Sequence, residues 1–180
     1  MKIFPSLSED PNLAEVYERF EQFESSLFSQ IEFVMRGESE LSIGERELIA
    51  AYTSILNSCS FCVGAHARIA NAYGVTENTI VALADDKFDE LTEKNAELFK
   101  YIKKIVLHSA KTTQKGIDTL LEASWSEQAI FSALSVCSLF CQVNRIVNAT
   151  GCENRNPLSN IEPNRLESYN ERSMRSDVEK

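Results

Sequence analysis

Residues 44–74 read GERELIAAYTSILNSCSFCVGAHARIANAYG. Leu48, Ile49, Tyr52, Ile55 and Leu56 recur at the spacing of one helix face. Asn57-Ser58 then interrupts the pattern with two short polar side chains that compete with a helical backbone and cap helices well. A second helix is predicted from about 59 to 73, stopped by Gly74 in a left-handed conformation. In one straight helix, Glu47 and His66 would stand roughly 28 Å apart at 1.5 Å per residue. A chain reversal at 57–58 brings them to similar heights, because one lies ten residues before the break and the other eight after it. Any joint chemistry of these two residues therefore demands a helical hairpin.

The same stretch carries the chemistry. Cys59 and Cys62 have Cys-x-x-Cys spacing, and His66 follows Cys62 at i+4, on one helix face. The thiolate is the reactive form of cysteine; a neighbouring imidazole and a helix N-terminus both favour it. A carboxylate behind the imidazole, here Glu47, would fix its tautomer and favour its charged form. Two neighbouring thiols, one attacking and one resolving, make the layout of a redox cysteine site.

These residues resemble the signature of the alkylhydroperoxidase D-like branch of the carboxymuconolactone decarboxylase superfamily. The text from Asn57 through Cys59, Phe61 and Cys62 to His66 is similar to that of its peroxidase-related members. The likeness extends over most of residues 10–152, through Gly116, Leu120-Leu121 and the late Asn144-Arg145-Ile146. It implies that Cys62 attacks a peroxide, that Cys59 resolves it as an intramolecular disulfide, and that His66 and Glu47 move the proton. Helix-end placement alone would instead make Cys59 the more acidic thiol. Some members carry a second histidine just before the second cysteine; here that position is Phe61, which leaves one relay group fewer. The resemblance also implies a homo-oligomer, trimeric or hexameric, with sites near subunit contacts.

Two plainer readings compete. Cys-x-x-Cys-x-x-x-His could hold zinc, although a structural site wants four ligands. Free cysteines also pack as small hydrophobes in an inert core.

With 180 residues, 43% hydrophobic and 25% charged, the chain has the length and balance of one globular domain. Its net charge of −9 argues against a nucleic-acid footprint and suits anionic lipid surfaces poorly. Five cysteines do not form an even disulfide framework. No basic-then-apolar leader and no uninterrupted run of about 18 apolar residues is found. These features together make a cytoplasmic location the expectation, with no membrane and no nucleic acid as partner.

Upstream, Asp10 and Pro11 are read as the start of one long helix carrying Leu13, Val16, Phe20, Phe23, Leu27, Ile31 and Val34, ending near Arg36-Gly37. Its glutamates 15, 18, 21 and 24 are read as a solvated face. Downstream, Thr76 caps a helix over 77–84, and Thr92 starts a longer one that ends near His108. Ser124 and Glu127 have the spacing of a capping box. The last strong helix runs to about 149 and is apolar on two sides, the mark of a central or interfacial helix. Its Cys137 and Cys141 are read as core, with redox partnership the alternative; a bridge between them is disfavoured by rigid i, i+4 geometry.

The expectation is therefore an all-α, single-domain bundle of the alkylhydroperoxidase D-like type over 1–152, with about six or seven helices and a polar extension over 153–180. The activity implied is thiol-dependent hydroperoxide or disulfide reduction by Cys59, Cys62, His66 and Glu47. No cofactor or metal is needed. The partners implied are a small hydroperoxide and an external dithiol, lipoylated or thioredoxin-like. A decarboxylase or lyase of the wider superfamily and a non-catalytic redox sensor are the alternatives.

Overall fold

The computed structural model describes residues 3–152. Eight α-helices occur among them: α1 (Leu13–Arg19), α2 (Glu24–Arg36), α3 (Ile43–Leu56), α4 (Ser60–Ala72), α5 (Glu77–Ala84), α6 (Glu93–His108), α7 (Gln114–Glu122) and α8 (Glu127–Thr150). No strand is found among the described residues. The all-α expectation holds, with one helix more than the upper count. The polar extension over 153–180 lies outside the described residues.

The additional helix arises near the N-terminus. The long helix expected from Asp10 to Arg36 is two, separated by a 3-10 turn at Glu21–Phe23. Asn12, rather than Asp10, caps α1, accepting from the Glu15 amide at 2.9 Å. The break is needed for packing. Tyr17 and Phe28 would be about 16 Å apart along one helix, yet their ring centroids lie 5.4 Å apart. Glu15 is not simply solvated either, since it accepts from the Ser8 hydroxyl at 2.7 Å and ties the N-terminal arm to α1.

The α3–α4 hairpin is built as expected. Ser42 and Glu45 make a reciprocal capping box at the start of α3. At its other end Ser58 adopts the left-handed conformation, φ 54°. The Ser58 amide donates to Ile55 O at 3.0 Å and the Cys59 amide to Ser54 O at 2.9 Å. This Schellman pair satisfies the last carbonyls of α3 and reverses the chain. The far ends close tightly: a Cβ on Gly44 would stand 2.9 Å from the Tyr73 carbonyl oxygen. Glycine at 44 is thus what lets the start of α3 touch the end of α4.

α3 is buried over Arg46–Ser54, nearly all round, and packs against α4, α6 and α8. α8 supplies the facing core through Ala133, Val136, Phe140, Val143 and Val147. By length and composition alone α8 could cross a membrane: its apolar window has mean hydropathy 1.5, and half of that window is buried in the bundle. Ser132, Ser135 and Ser138 interrupt it, so it holds no unbroken apolar run. The cap of α8 is Ser126, which accepts from the Ala129 amide at 3.0 Å. Ser124, the expected cap, instead sits two residues earlier with φ 67° in the turn that ends α7.

Candidate active site

The hairpin brings Glu47 and His66 into contact. Glu47 Oε2 lies 2.7 Å from His66 Nδ1 and is fully buried. The other carboxylate oxygen, Oε1, accepts from Arg36 at 2.7 Å. Arg36 comes from the last turn of α2, which is fixed in place by Arg46: its guanidinium donates to Gly37 O at 2.8 Å and Val34 O at 3.3 Å. A buried carboxylate needs a compensating charge, and Arg36 provides one independent of the histidine's protonation. The sequence reading treats Arg36 only as a helix end. Its signal, a basic residue in a last turn, is shared by ordinary helices. Phe140 of α8 meets the His66 ring edge-on at 4.2 Å and fixes its plane.

Cys59 occupies the N-cap position of α4 and Cys62 lies on its first turn. They are 0% and 2% exposed, so a substrate reaches either sulfur only when the surrounding helices open locally. The two thiols share a proton. The Cys62 thiol donates to the Cys59 sulfur, and this bond, with help from Asn144 and against the cost of burial, lowers Cys59 from 9.0 to about 7. The same bond, reinforced by burial, pushes Cys62 up. The direction favours ionisation at Cys59 over Cys62, as helix-end placement suggests.

Asn144 of α8, a position of interest but without a role in the sequence reading, is fully buried beside the dithiol. Its side-chain amide lies beside both sulfurs and favours their ionised form. It accepts from Asn57 Nδ2 at 3.0 Å and donates to Ser54 Oγ at 3.0 Å. Asn57 in turn accepts, through its carbonyl, from Asn148 Nδ2 at 3.2 Å. The α3–α4 turn is thus clamped to one stripe of α8. Two further groups face the dithiol. Cys152 is buried and interacts electrostatically with both Cys59 and Cys62. The Tyr17 hydroxyl is buried with no hydrogen-bond partner among the described residues, and burial first, then Cys152 and Cys62, push it up to about 12. Phe61 packs against the core from a half-buried position. No three of the described His, Cys, Asp or Glu side chains are grouped to hold a metal. His108, the other histidine, lies at the end of α6, exposed and outside this constellation.

Solved structures share this architecture at low identity. A peroxidase-related protein described as an alkylhydroperoxidase AhpD core, from Ralstonia eutropha JMP134, superposes with a TM-score of 0.75 at 20% identity, over 81% of this chain and 77% of that one. A peroxidase-related protein from Silicibacter sp. TM1040 gives 0.72 at 20% identity, over 88% and 94%. A protein of unknown function from Agrobacterium tumefaciens gives 0.68 at 20% identity, over 78% and 96%. At that identity they show a common fold. No curated protein matches the sequence. The model of the carboxymuconolactone decarboxylase family matches residues 14–104, about half of the chain. That span runs from α1 through most of α6 and holds Arg36, Glu47, Cys59, Cys62 and His66, so the chain belongs to the carboxymuconolactone decarboxylase family, with an alkylhydroperoxidase D-like fold.

Proposed function

We propose that this protein is a thiol-dependent hydroperoxide reductase. The observation that carries the reading is a buried contact between Glu47 and His66, with Arg36 on the other carboxylate oxygen, on the same hairpin as two buried thiols. His66, one turn beyond Cys62, takes the Cys62 proton, and Glu47 stabilises the imidazolium that forms. The Cys62 thiolate attacks the terminal peroxide oxygen. The O–O bond breaks, the imidazolium proton goes to the departing alkoxide, and Cys62 becomes a sulfenic acid. Cys59, as the thiolate, attacks that sulfur; the S–S bond forms, the S–O bond breaks, and the departing hydroxide takes a proton from solvent and leaves as water. An external dithiol, lipoylated or thioredoxin-like, returns both sulfurs to the reduced state by exchange.

The test is peroxide consumption with a dithiol reductant on the wild type, Cys59→Ser, Cys62→Ser and His66→Ala. Loss of turnover in all three variants, with sulfenic acid trapped in Cys59→Ser but not in Cys62→Ser, is expected. Turnover unaffected by both serine changes rules the reading out. A family member acting as a decarboxylase does not need the dithiol and would keep its activity in both. A reversible disulfide without turnover marks a redox sensor instead.

A further inference from the structure

The Tyr17 hydroxyl is buried and has no hydrogen-bond partner among the described residues. Tyr17 stands on α1 and is 3% exposed, and Phe28 holds its ring edge-on at 5.4 Å. The hydroxyl interacts electrostatically with Cys152 and Cys62, so this end of the ring faces the sulfurs. Two other buried hydroxyls without a partner turn elsewhere, Tyr52 towards Asp86 and Thr53 towards Cys137. An orphaned buried hydroxyl is costly, and a native fold that keeps one needs a reason.

A second observation supplies one. Tyr17 also lines a surface cleft of about 180 Å³ between α1, α2 and α8, together with Phe23, Leu27, Gln30, Gln142 and Ile146. The tyrosine thus stands between this cleft and the dithiol. A substrate that enters here, when the helices open locally, meets the free hydroxyl on its way to Cys62.

We propose that Tyr17 is a further catalytic residue, whose hydroxyl donates to the alkyl-bearing oxygen of an organic hydroperoxide while the alkyl group lies in the cleft between α2 and α8. The assignment rests on the hydroperoxide reading and adds a group to it. As the Cys62 sulfur attacks the terminal oxygen, an S–O bond forms, the O–O bond breaks and negative charge collects on the alkyl-bearing oxygen. Tyr17 hydrogen-bonds that oxygen and keeps its own proton, since burial and then Cys152 and Cys62 push the hydroxyl up to about 12. The proton comes from the His66 imidazolium, so the alcohol leaves neutral and Cys62 is left as a sulfenic acid. A donor already in place in a buried site stabilises this charge as it develops. Phe23, Leu27 and Ile146 offer an alkyl chain apolar contacts that hydrogen peroxide cannot use.

The experiment treats the reduced full-length protein and its Tyr17→Phe variant with cumene hydroperoxide and, separately, with iodoacetamide, and follows Cys62 by mass. Tyr17→Phe is expected to slow oxidation of Cys62 by about a hundredfold. Alkylation should be unchanged, because no charge develops on an oxygen and the departing iodide is a poor acceptor. Equal slowing with both reagents makes Tyr17 structural and overturns the assignment, as does equal oxidation in wild type and variant. A wild type inert to the hydroperoxide at Cys62 overturns the hydroperoxide reading itself, and the assignment with it. Ile146→Trp, which fills the cleft, should lower the preference for cumene hydroperoxide over hydrogen peroxide. An unchanged preference overturns the place given to the alkyl group.

Discussion

Glu47 and His66 are 19 positions apart in the chain and 2.7 Å apart in the fold. That contact, with Arg36 ion-paired to the opposite carboxylate oxygen, makes the base of the hairpin a buried three-residue cluster. The imidazole is consequently held from behind, with its other ring nitrogen left on the side away from the carboxylate.

Breaking the triad from the arginine side leaves a buried carboxylate short of charge. Arg36→Met is expected to cost about 3–5 kcal/mol, read by chemical denaturation. Arg36→Met combined with Glu47→Gln should recover a large part of that loss, because no uncompensated charge remains. Strict additivity of the two changes would mean that the pair is not coupled.

The shared proton of the dithiol has a pH signature. Thiolate absorbance of the reduced protein should include one dithiol thiolate that titrates near 7 and disappears in Cys59→Ser. In Cys62→Ala, which leaves no donor at that position, the midpoint of Cys59 should rise, since the largest cause of its depression is gone. Cys59 is lowered from 9.0 to about 7, so the reduced fold binds fewer protons there than the unfolded chain between those values. Its contribution is full above 9 and is lost as pH falls through 7. Relative to Cys59→Ser, reduced wild type should therefore gain stability from pH 7 to 9; a flat difference across that window would refute the assignment.

Asn144 joins the turn to α8 and its amide reaches the sulfurs. Asn144→Ala orphans the Asn57 amide and the Ser54 hydroxyl, at a cost of about 1–3 kcal/mol. It should raise the Cys59 midpoint by less than Cys62→Ala does, because the thiol–thiol bond is the larger cause. Alkylation rates against pH measure both shifts.

Tyr17 separates a structural from a catalytic role. Its buried hydroxyl has no partner among the described residues, so Tyr17→Phe should leave stability unchanged or raise it by about 1 kcal/mol. If that hydroxyl steadies a peroxide oxygen near Cys62, turnover falls while the fold does not. Equal turnover in Tyr17→Phe assigns the residue to packing alone.

Much of this was legible in local text. The Asn57-Ser58 break, the stop at Gly74, the caps at Thr76 and Thr92 and the end of α6 at His108 all stand where short-range rules place them, because each rests on backbone groups a few residues away. The split of the first helix was not legible. The apolar stripe from Leu13 to Val34 is continuous in sequence, and the break answers to the stacking of Tyr17 on Phe28. The cap of α8 shows the same limit on a smaller scale. Ser124 and Ser126 are both good caps, and the turn that ends α7 takes the first of them.

The sequence by itself determined a hairpin of helices, the thiol pair at its turn, and the heights of Glu47 and His66 along it. These follow from helical periodicity and capping, which are local. Only the tertiary structure decided which groups close around that hairpin: Arg36 from α2 on the carboxylate, Asn144 from α8 beside the sulfurs, and Phe140 on the imidazole. Each of those depends on a partner brought in by helix packing, and a buried charge or thiolate takes its energy from whatever packing has placed beside it.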